Sequence, residues 1–319
     1  MILYLFCLLF GILLLFYSGS KLIDYAVVLA KHLKVTPALI GLVVISIGTS
    51  FPELCVSLLA GAQGEINLAI GNILGSNLCN VGLILGLCAM VSALPVGRQI
   101  VKTDYFFLLT ATLLAGFSLY DGIYSVIDAL FSFAWFLCFF FFSLRKSKRD
   151  FKNSELEHEV SEEYKHLKDL SAFTLCLYFF FSLIGLFAGS ELLIYGGSHL
   201  ARAFSISERV IGLSVVAIGT SLPELMATAS AALKKQHEMA IANILGSNIF
   251  NIIFILPSLG LFGSHSIDAF FISRDLLALL ISTVILFPIL FTGKRISRFE
   301  GFILLGSYFA YFIFLFKNG

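Results

Sequence analysis

Charged residues are scarce in this 319-residue sequence. Aspartate, glutamate, lysine and arginine together make up 13% of it, whereas 59% is hydrophobic and the mean hydropathy is +0.96. Soluble domains normally carry about a quarter charged residues. The composition therefore excludes an ordinary soluble fold and predicts an all-α polytopic membrane protein. The net charge of +1 gives no basis for binding nucleic acid.

Motifs of cysteine and histidine are also missing. The six cysteines lie in apolar segments without CxxC spacing, so we interpret them as buried hydrophobic residues and not as disulfides or zinc ligands. The six histidines fall in loops or at span ends and form neither an HExxH motif nor a Ser/His pair. These absences predict a protein that is not an enzyme and has no cofactor, and no obligate protein partner is evident.

Apolar windows predict ten membrane spans. The first run, Ile2 to Tyr17, has neither a basic start nor a clear cleavage site, so we expect a retained helix and not a signal peptide. The spans run approximately 2 to 30, 38 to 61, 66 to 91, 104 to 120, 123 to 144, 172 to 200, 210 to 233, 239 to 262, 270 to 291 and 299 to 316.

The distribution of positive charge predicts the orientation. In the ten-span arrangement, one side collects 17 of the 21 lysines and arginines, and that side includes the polar connector between spans five and six, residues 145–170. Cytoplasmic loops carry the excess of Lys and Arg. We therefore expect a cytoplasmic connector, both termini outside, and a location in the cell (inner or plasma) membrane, with the lipid bilayer as a partner.

The sequence repeats itself with a constant offset of 171 residues. GLVVISIGTSFPEL at 41–54 returns as GLSVVAIGTSLPEL at 212–225, and IGNILGSNLCN at 70–80 returns as IANILGSNIFN at 241–251. Five spans per copy is an odd number, so the second copy must enter the membrane inverted. The predicted organisation is a first repeat at 1–144 with its motif at 41–80, the connector, and a second repeat at 171–319 with its motif at 212–251.

Each motif places a glutamate and a proline inside an apolar span. A carboxylate at the centre of a membrane helix costs about 2.5 to 3.5 kcal/mol on insertion scales, so a partner must compensate it. Pro52 and Pro223 leave the carbonyls of Gly48 and Gly219 without a helical donor. Carboxylates, hydroxyls, amides and freed carbonyls together form an all-oxygen ligand set, which suits a hard cation such as calcium. The residues that offer these oxygens are Thr49, Ser50, Glu53, Ser76 and Asn80 in the first copy, and Thr220, Ser221, Glu224, Ser247 and Asn251 in the second.

Other repeated polar residues leave alternatives open. Asn72, Asn77, Asn243 and Asn248 are either ligands or interhelical hydrogen-bond partners. Ser190 is expected to serve close helix packing, and Asp24, near a span end, to be either an interfacial or a helix-pairing group.

These motifs resemble those of the cation/calcium antiporter superfamily, particularly its prokaryotic sodium/calcium exchangers. GTSFPE with GTSLPE, and GSNLCN with GSNIFN, match the two repeated motifs of that family, and the resemblance extends over essentially the whole chain. It implies four ion sites between the second, third, seventh and eighth helices, with calcium on Glu53, Glu224, Thr49 and Thr220. It implies that sodium sites draw on Ser46, Ser50, Ser76, Ala217, Ser221 and Ser247, and that Asn80 and Asn251 line the central site. It further implies that the first and sixth helices slide across the core.

The chain departs from the family pattern at two positions. Asn251 stands where relatives often carry aspartate, and Ser46 where alanine is common. Two glutamates alone give the site a charge of about −2, so the number and identity of the counter-ions stay open. The leading hypothesis is an antiporter that exchanges calcium for sodium. The alternatives are a proton-coupled cation antiporter and a passive cation channel.

Overall fold

The computed structural model describes residues 1–97, 100–153, 164, 167–204, 217–292 and 294–318. Helices predominate within these ranges. In chain order they are α1 (Ile2–His32), α2 (Pro37–Thr49), α3 (Phe51–Ala62), α4 (Ile66–Val91), α5 (Ile100–Leu119), α6 (Val126–Asn153), α7 (Ala172–Ala203), α8 (Ala217–Thr220), α9 (Leu222–Leu233), α10 (His237–Phe262), α11 (Phe271–Thr292) and α12 (Arg298–Asn318).

Most of these helices are long and apolar enough to cross a membrane. Eight of them are single spans, and α2 with α3 forms a ninth, bent span. Helices α8 and α9 are the described part of the seventh predicted span, 210–233, which begins outside the described residues. The protein is therefore an all-α polytopic membrane protein, as predicted. Helix α6 continues nine residues beyond the predicted end at 144, because no glycine or proline interrupts the basic segment that follows.

Two short antiparallel pairings connect the halves of the chain. Strand β1 (Leu94–Pro95) pairs with β4 (Arg295–Ile296), and β2 (Ile123–Tyr124) pairs with β3 (His265–Ser266). Each pairing joins a segment of the first half to a segment of the second. This reciprocal exchange is what a pseudo-two-fold axis between inverted repeats produces.

Local helix geometry repeats with the same symmetry. Within α4, residues Cys79–Leu85 form a π-helical turn, and within α10 residues Asn251–Ile255 do so at the matching repeat position. A second matched pair lies at the start of α5, Ile100–Asp104, and at the start of α11, Phe271–Leu276. Such turns widen a helix locally and are frequent at functional sites. The first pair lies where the motif asparagines Asn80 and Asn251 are placed.

The two helices that carry GSN motifs form the centre of the bundle. Each of these helices contains an apolar stretch that could span the membrane. The buried share of that stretch is 83% in α4 and 94% in α10, but only 28% in α1 and 33% in α7. Helices α1 and α7 pack along each other, and a Cβ atom on Gly11 would lie 2.8 Å from the carbonyl oxygen of Gly189. Small residues allow this close approach. The motifs are thus enclosed while α1 and α7 lie at the periphery.

One ion pair fixes α1 to the end of α9. Lys234 contacts the carboxylate of Asp24, which is 8% exposed, and Lys21 lies 3.8 Å from the same carboxylate. Asp24 therefore pairs helices, which is one of its two expected roles. The repeat equivalent of Lys234 is Gln63, so among the described residues this lysine connection has no counterpart at the repeat-related position.

Removal of the lysine should weaken this connection measurably. We expect Lys234→Met to lower the free energy of unfolding by about 1–3 kcal/mol, because it leaves a mostly buried carboxylate with only the more distant Lys21. The exposed neighbour Lys235 provides the matched control, Lys235→Met, which should change little. Thermal unfolding in detergent, including Asp24→Asn and the double variant, measures the coupling. Additive losses for the two partners would contradict the interaction.

Candidate cation-binding site

Both copies of the motif break a helix in the middle of the bundle. Helices α2 and α3 meet at Ser50 with a bend of 43°, and α8 and α9 meet at Ser221. Pro52 and Pro223 fall in the first turns of α3 and α9, where the missing N–H costs no hydrogen bond. The predicted interruption is therefore present, and it falls at the serine two residues before each proline.

A serine from α7 compensates one of the freed carbonyls. The hydroxyl of Ser190 donates to the carbonyl oxygen of Gly219 at 2.5 Å. The prediction that Ser190 serves only close packing was incomplete. Its occurrence in a GS pair that recurs before both motifs, at 19–20 and 189–190, was a signal for this role. The hydrogen bond connects peripheral α7 directly to the broken helix at the centre.

The two glutamates are fully buried and receive hydrogen bonds from serines. Ser76 donates to Glu53 Oε1 at 3.0 Å, and Ser50 donates to Glu224 Oε1 at 3.0 Å. Ser76 and Ser221 lie 3.4 Å apart through their hydroxyl oxygens. The second and third of these contacts cross from one repeat to the other. The structure thus brings both glutamates and three of the predicted serines into one cluster.

Several buried oxygens of the predicted site residues have no hydrogen-bond partner. They include Oε2 of Glu53, Oε2 of Glu224 and the hydroxyl of Ser247, all on fully buried side chains. The two carboxylates also belong to one buried cluster, since Ser76, which donates to Glu53, contacts Ser221 at the start of the helix that carries Glu224. Buried polar atoms are normally paired, and two buried negative charges repel. Both features fit a site built for a cation.

Four buried asparagines form a second layer with two-fold symmetry. Asn80 Nδ2 donates to Asn248 Oδ1 at 3.0 Å. Its repeat equivalent, Asn251 Nδ2, donates to Asn77 Oδ1 at 3.0 Å. Asn248 Nδ2 also donates to the carbonyl of Asn77 at 3.1 Å. Asn77 and Asn248 are therefore interhelical hydrogen-bond partners, one of the two roles left open by the sequence. The Oδ1 atoms of Asn80 and Asn251 have no partner.

The other two repeated asparagines connect neighbouring helices. Asn72 on α4 donates to Ser57 of α3 at 3.2 Å and to the carbonyl oxygen of Glu53 at 3.3 Å. Its equivalent Asn243 on α10 donates to Thr228 of α9 at 3.0 Å. These bonds hold each glutamate-bearing helix against its GSN helix.

The remaining predicted site residues take different positions. Thr49 is fully buried and donates to the carbonyl of Ser46 at 3.4 Å, while Ser46 donates to the carbonyl of Leu42 at 2.7 Å. Thr220 is half-buried, and Ala217 begins α8. The hydroxyl of Ser46 is thus engaged by its own helix.

A cavity of about 300 Å³ reaches the cluster from one side. Ser76, Asn72 and Thr220 line it, together with Asp275 and Tyr311 from α11 and α12. Tyr311 donates to Asp275 at 2.8 Å. No sequence pattern had predicted this cavity beside the cluster.

Ser76 donates to a carboxylate and its repeat equivalent Ser247 has no partner, so we expect their substitutions to have unequal effects. Ser76→Ala leaves Glu53 Oε1 without its donor and should lower the free energy of unfolding by about 1.5–3 kcal/mol. The repeat-equivalent Ser247→Ala removes a hydroxyl without a partner and should change it by no more than about 0.5 kcal/mol. Thermal unfolding of the ion-free protein tests the difference. Equal losses in the two variants would contradict the asymmetry.

Two inverted halves around a pair of buried carboxylates are the construction of a secondary transporter. A sequence profile described as "Sodium/calcium exchanger protein" matches residues 3–145 and 174–317. The sodium/calcium exchanger MaX1 of Methanosarcina acetivorans is 31% identical, with 97% of both chains aligned. Inner membrane protein YrbG of Escherichia coli is 35% identical over 86% of this chain and 85% of YrbG. A solved structure of the sodium-calcium exchanger NCX_Mj is similar with a TM-score of 0.81, 30% identity and 97% of each chain covered. The chain belongs to the sodium/calcium exchanger protein family, which is a family of transporters.

Proposed function

We propose that the protein is a secondary antiporter that exchanges calcium for sodium across the membrane by alternating access. The observation that carries this proposal is the pair Glu53 and Glu224. They come from opposite, inverted halves, are 0% exposed, and each keeps one carboxylate oxygen without a hydrogen-bond partner.

The chemistry of the cluster supports a hard cation as the substrate. Calcium takes six to eight oxygen ligands, and two carboxylates neutralise its charge. The proposed ligands are the two glutamates with Thr49, Thr220, Ser50, Ser221, Ser76, Ser247, Asn80 and Asn251, and sodium sites would extend toward Ser46 and Ala217. Because calcium and sodium would share the same carboxylates, occupancy by one excludes the other. This competition would couple the two fluxes.

The inverted halves supply a route to alternating access. The proposed movement is a sliding of α1 and α7 across the enclosed core, which their peripheral position would permit. A structure of the relative NCX_Mj is described in terms of extracellular ion exchange and induced binding-site occlusion, after soaking with sodium and calcium. For this chain we propose both termini outside, a cytoplasmic connector at 145–170 and a location in the cell membrane.

Proton coupling is the second candidate. The observation that favours it is the pair of buried carboxylates in one cluster, each with an unpartnered oxygen, because a proton neutralises a carboxylate as well as sodium does. Only the ion that competes with calcium would differ between the two mechanisms.

Calcium uptake into proteoliposomes distinguishes these candidates. Purified protein is reconstituted, and radiolabelled calcium uptake is followed with an outward sodium gradient, an outward proton gradient, or neither. Uptake that requires sodium supports the main proposal, and uptake that requires only the proton gradient supports the second candidate. Uptake without any gradient would indicate a channel, and absence of uptake in all three conditions would overturn calcium transport.

A further inference from the structure

We propose that this protein exchanges one calcium ion for two monovalent cations without moving net charge, and that the amides of Asn80 and Asn251 set this ratio. The inference rests on the proposed function and deepens it, because it concerns the ions that occupy the same site. It follows from the charges and hydrogen bonds at the centre of the bundle.

The site carries two negative charges. Glu53 and Glu224 are its carboxylates, and no group of three or more His, Cys, Asp or Glu that could hold a metal ion occurs in the part of the chain that the structure describes. Asp275 lines the adjoining cavity, but it accepts a hydrogen bond from Tyr311, and the oppositely charged Arg274 directly precedes it in the chain. The pair Arg274 and Asp275 therefore adds no net charge.

The asparagine layer requires amides at two of its positions. Asn77 Oδ1 and Asn248 Oδ1 are acceptors, so the residues that face them must donate an N–H. Asn251 and Asn80 do so across the two repeats. An ionised aspartate cannot donate, and at either position it would place a negative oxygen against an acceptor. The hydrogen bonds thus select a neutral side chain at 80, where Asn248 Nδ2 is already engaged, and favour one at 251 in the orientation that Asn77 has here.

The same amides increase the number of ligands without adding charge. With Nδ2 engaged, Asn80 and Asn251 each present an unpartnered Oδ1 atom. The free oxygens of Glu53, Glu224 and Ser247 complete a set of five unpartnered oxygen atoms. Calcium needs many oxygens and two balancing charges, and this set supplies further ligands while the site charge stays at about −2.

Charge balance in a buried site then fixes the ratio. One calcium ion or two monovalent ions bring the two carboxylates to neutrality, whereas a third monovalent ion would leave an uncompensated positive charge away from water. Burial of an unpaired charge is strongly unfavourable. The loaded site would therefore be neutral in both directions of exchange, and the membrane potential would do no work on it. Two protons would satisfy the same balance as two sodium ions.

The test measures sodium-driven calcium uptake at controlled membrane potential. Proteoliposomes contain the full-length protein with potassium on both sides, and valinomycin sets potentials of about +100, 0 and −100 mV. With a fixed outward sodium gradient, we expect the same initial rate and the same final calcium accumulation at all three potentials. Exchange that moves one net charge would change the final calcium ratio about 45-fold per 100 mV. A change of that size would overturn the inference.

An independent readout is the calcium gradient at equilibrium. At zero potential, a sodium gradient of about tenfold should support a calcium gradient of about 100-fold for two sodium ions, and about 1,000-fold for three. Either calcium gradient requires sodium-driven uptake, so a ratio other than two would contradict this inference alone. If the proposed function were wrong, there would be no calcium uptake under any gradient. If protons prove to be the counter-ion, the same two measurements apply with a proton gradient.

A charge-adding variant tests the role of the amide. Asn251→Asp is preferred over Asn80→Asp, because Asn77 Nδ2 has no partner and can rotate to donate to the new carboxylate. Asn248 Nδ2, in contrast, already donates to Asn77. We expect Asn251→Asp to make uptake depend on membrane potential, and Asn251→Ala, which adds no charge, to remain independent of it at a lower rate. Uptake by Asn251→Asp that does not depend on membrane potential would show that the Asn251 amide does not set the ratio. If that variant does not fold, the wild-type measurements still decide the ratio.

Discussion

Glu53→Gln and Glu224→Gln are each expected to abolish calcium exchange while the protein remains folded. Each substitution keeps the size of the side chain and removes half of the negative charge of the site. Loss of one partner from a buried charge pair costs about 2–5 kcal/mol, which corresponds to calcium binding weaker by roughly 30-fold to several thousand-fold. Transport in proteoliposomes should therefore fall to background in both variants.

Stability measurements separate this loss from misfolding. The ion-free variants should unfold at the same temperature as the wild type or higher, because a buried charge without a partner has been removed. Calcium at about 100 times its Kd should stabilise the wild type by about 2.7 kcal/mol and the variants not at all. Glu65→Gln is the matched control, since Glu65 is exposed before α4, and it should behave as the wild type. Near-normal exchange by both core variants would refute a shared carboxylate site.

Gly246→Ala is expected to destabilise the protein strongly, although the same change at its repeat equivalent is tolerated. A Cβ atom on Gly246 would overlap the carbonyl group of Leu42 and lie 2.7 Å from Ser46 Oγ. The backbone of α2 and the buried helix α10 cannot separate without loss of packing. Overpacking in a close-packed core costs typically 1–3 kcal/mol and sometimes more, so we expect at least about this loss in the free energy of unfolding, together with reduced yield.

Gly75→Ala is the control that the repeat provides. A Cβ atom on Gly75 meets nothing within 4 Å, and the residue lines the cavity beside Ser76. Stability should change by no more than about 0.5 kcal/mol, with alanine also the better helix former. If the halves exchange their geometries during alternating access, Gly75 must take the close contact that Gly246 makes here. Gly75→Ala should then remain stable and transport slowly. Equal stability losses at the two glycines would contradict the asymmetry.

Sequence reasoning predicted the polar cluster at the centre of the bundle because the repeat marks it. Both glutamates and three of the serines that recur at an offset of 171 residues meet in one cluster, four recurring asparagines meet in another, and the helix breaks fall beside the two prolines. Buried polar residues in apolar helices must find partners or bind an ion, so their positions were informative. The assignment of each residue to a particular ion remains a prediction.

The differences between the two copies could not be predicted from the sequence. Gly246 makes a close helix contact whereas its equivalent Gly75 does not, and Ser76 has a carboxylate partner that Ser247 lacks. A repeated sequence describes both copies alike, whereas a single conformation holds them in unequal surroundings. The cavity beside Ser76 and the bond from Ser190 to Gly219 depend on the packing of distant helices, which leaves no local pattern.

The exchanged strand pairings bear on how the chain is made. β1 ends at Pro95 and its partner β4 begins at Arg295, so the ribosome must add about 200 residues before this pairing can close, which takes roughly 10–40 s at typical rates of synthesis. During that interval the first half lies in the membrane. The backbone groups of β1 have no strand partner, and the carboxylate cluster lacks the residues of the second half. The first half alone is therefore an assembly intermediate and not a smaller transporter, and quality-control proteases that recognise unfinished membrane proteins would encounter it in that form.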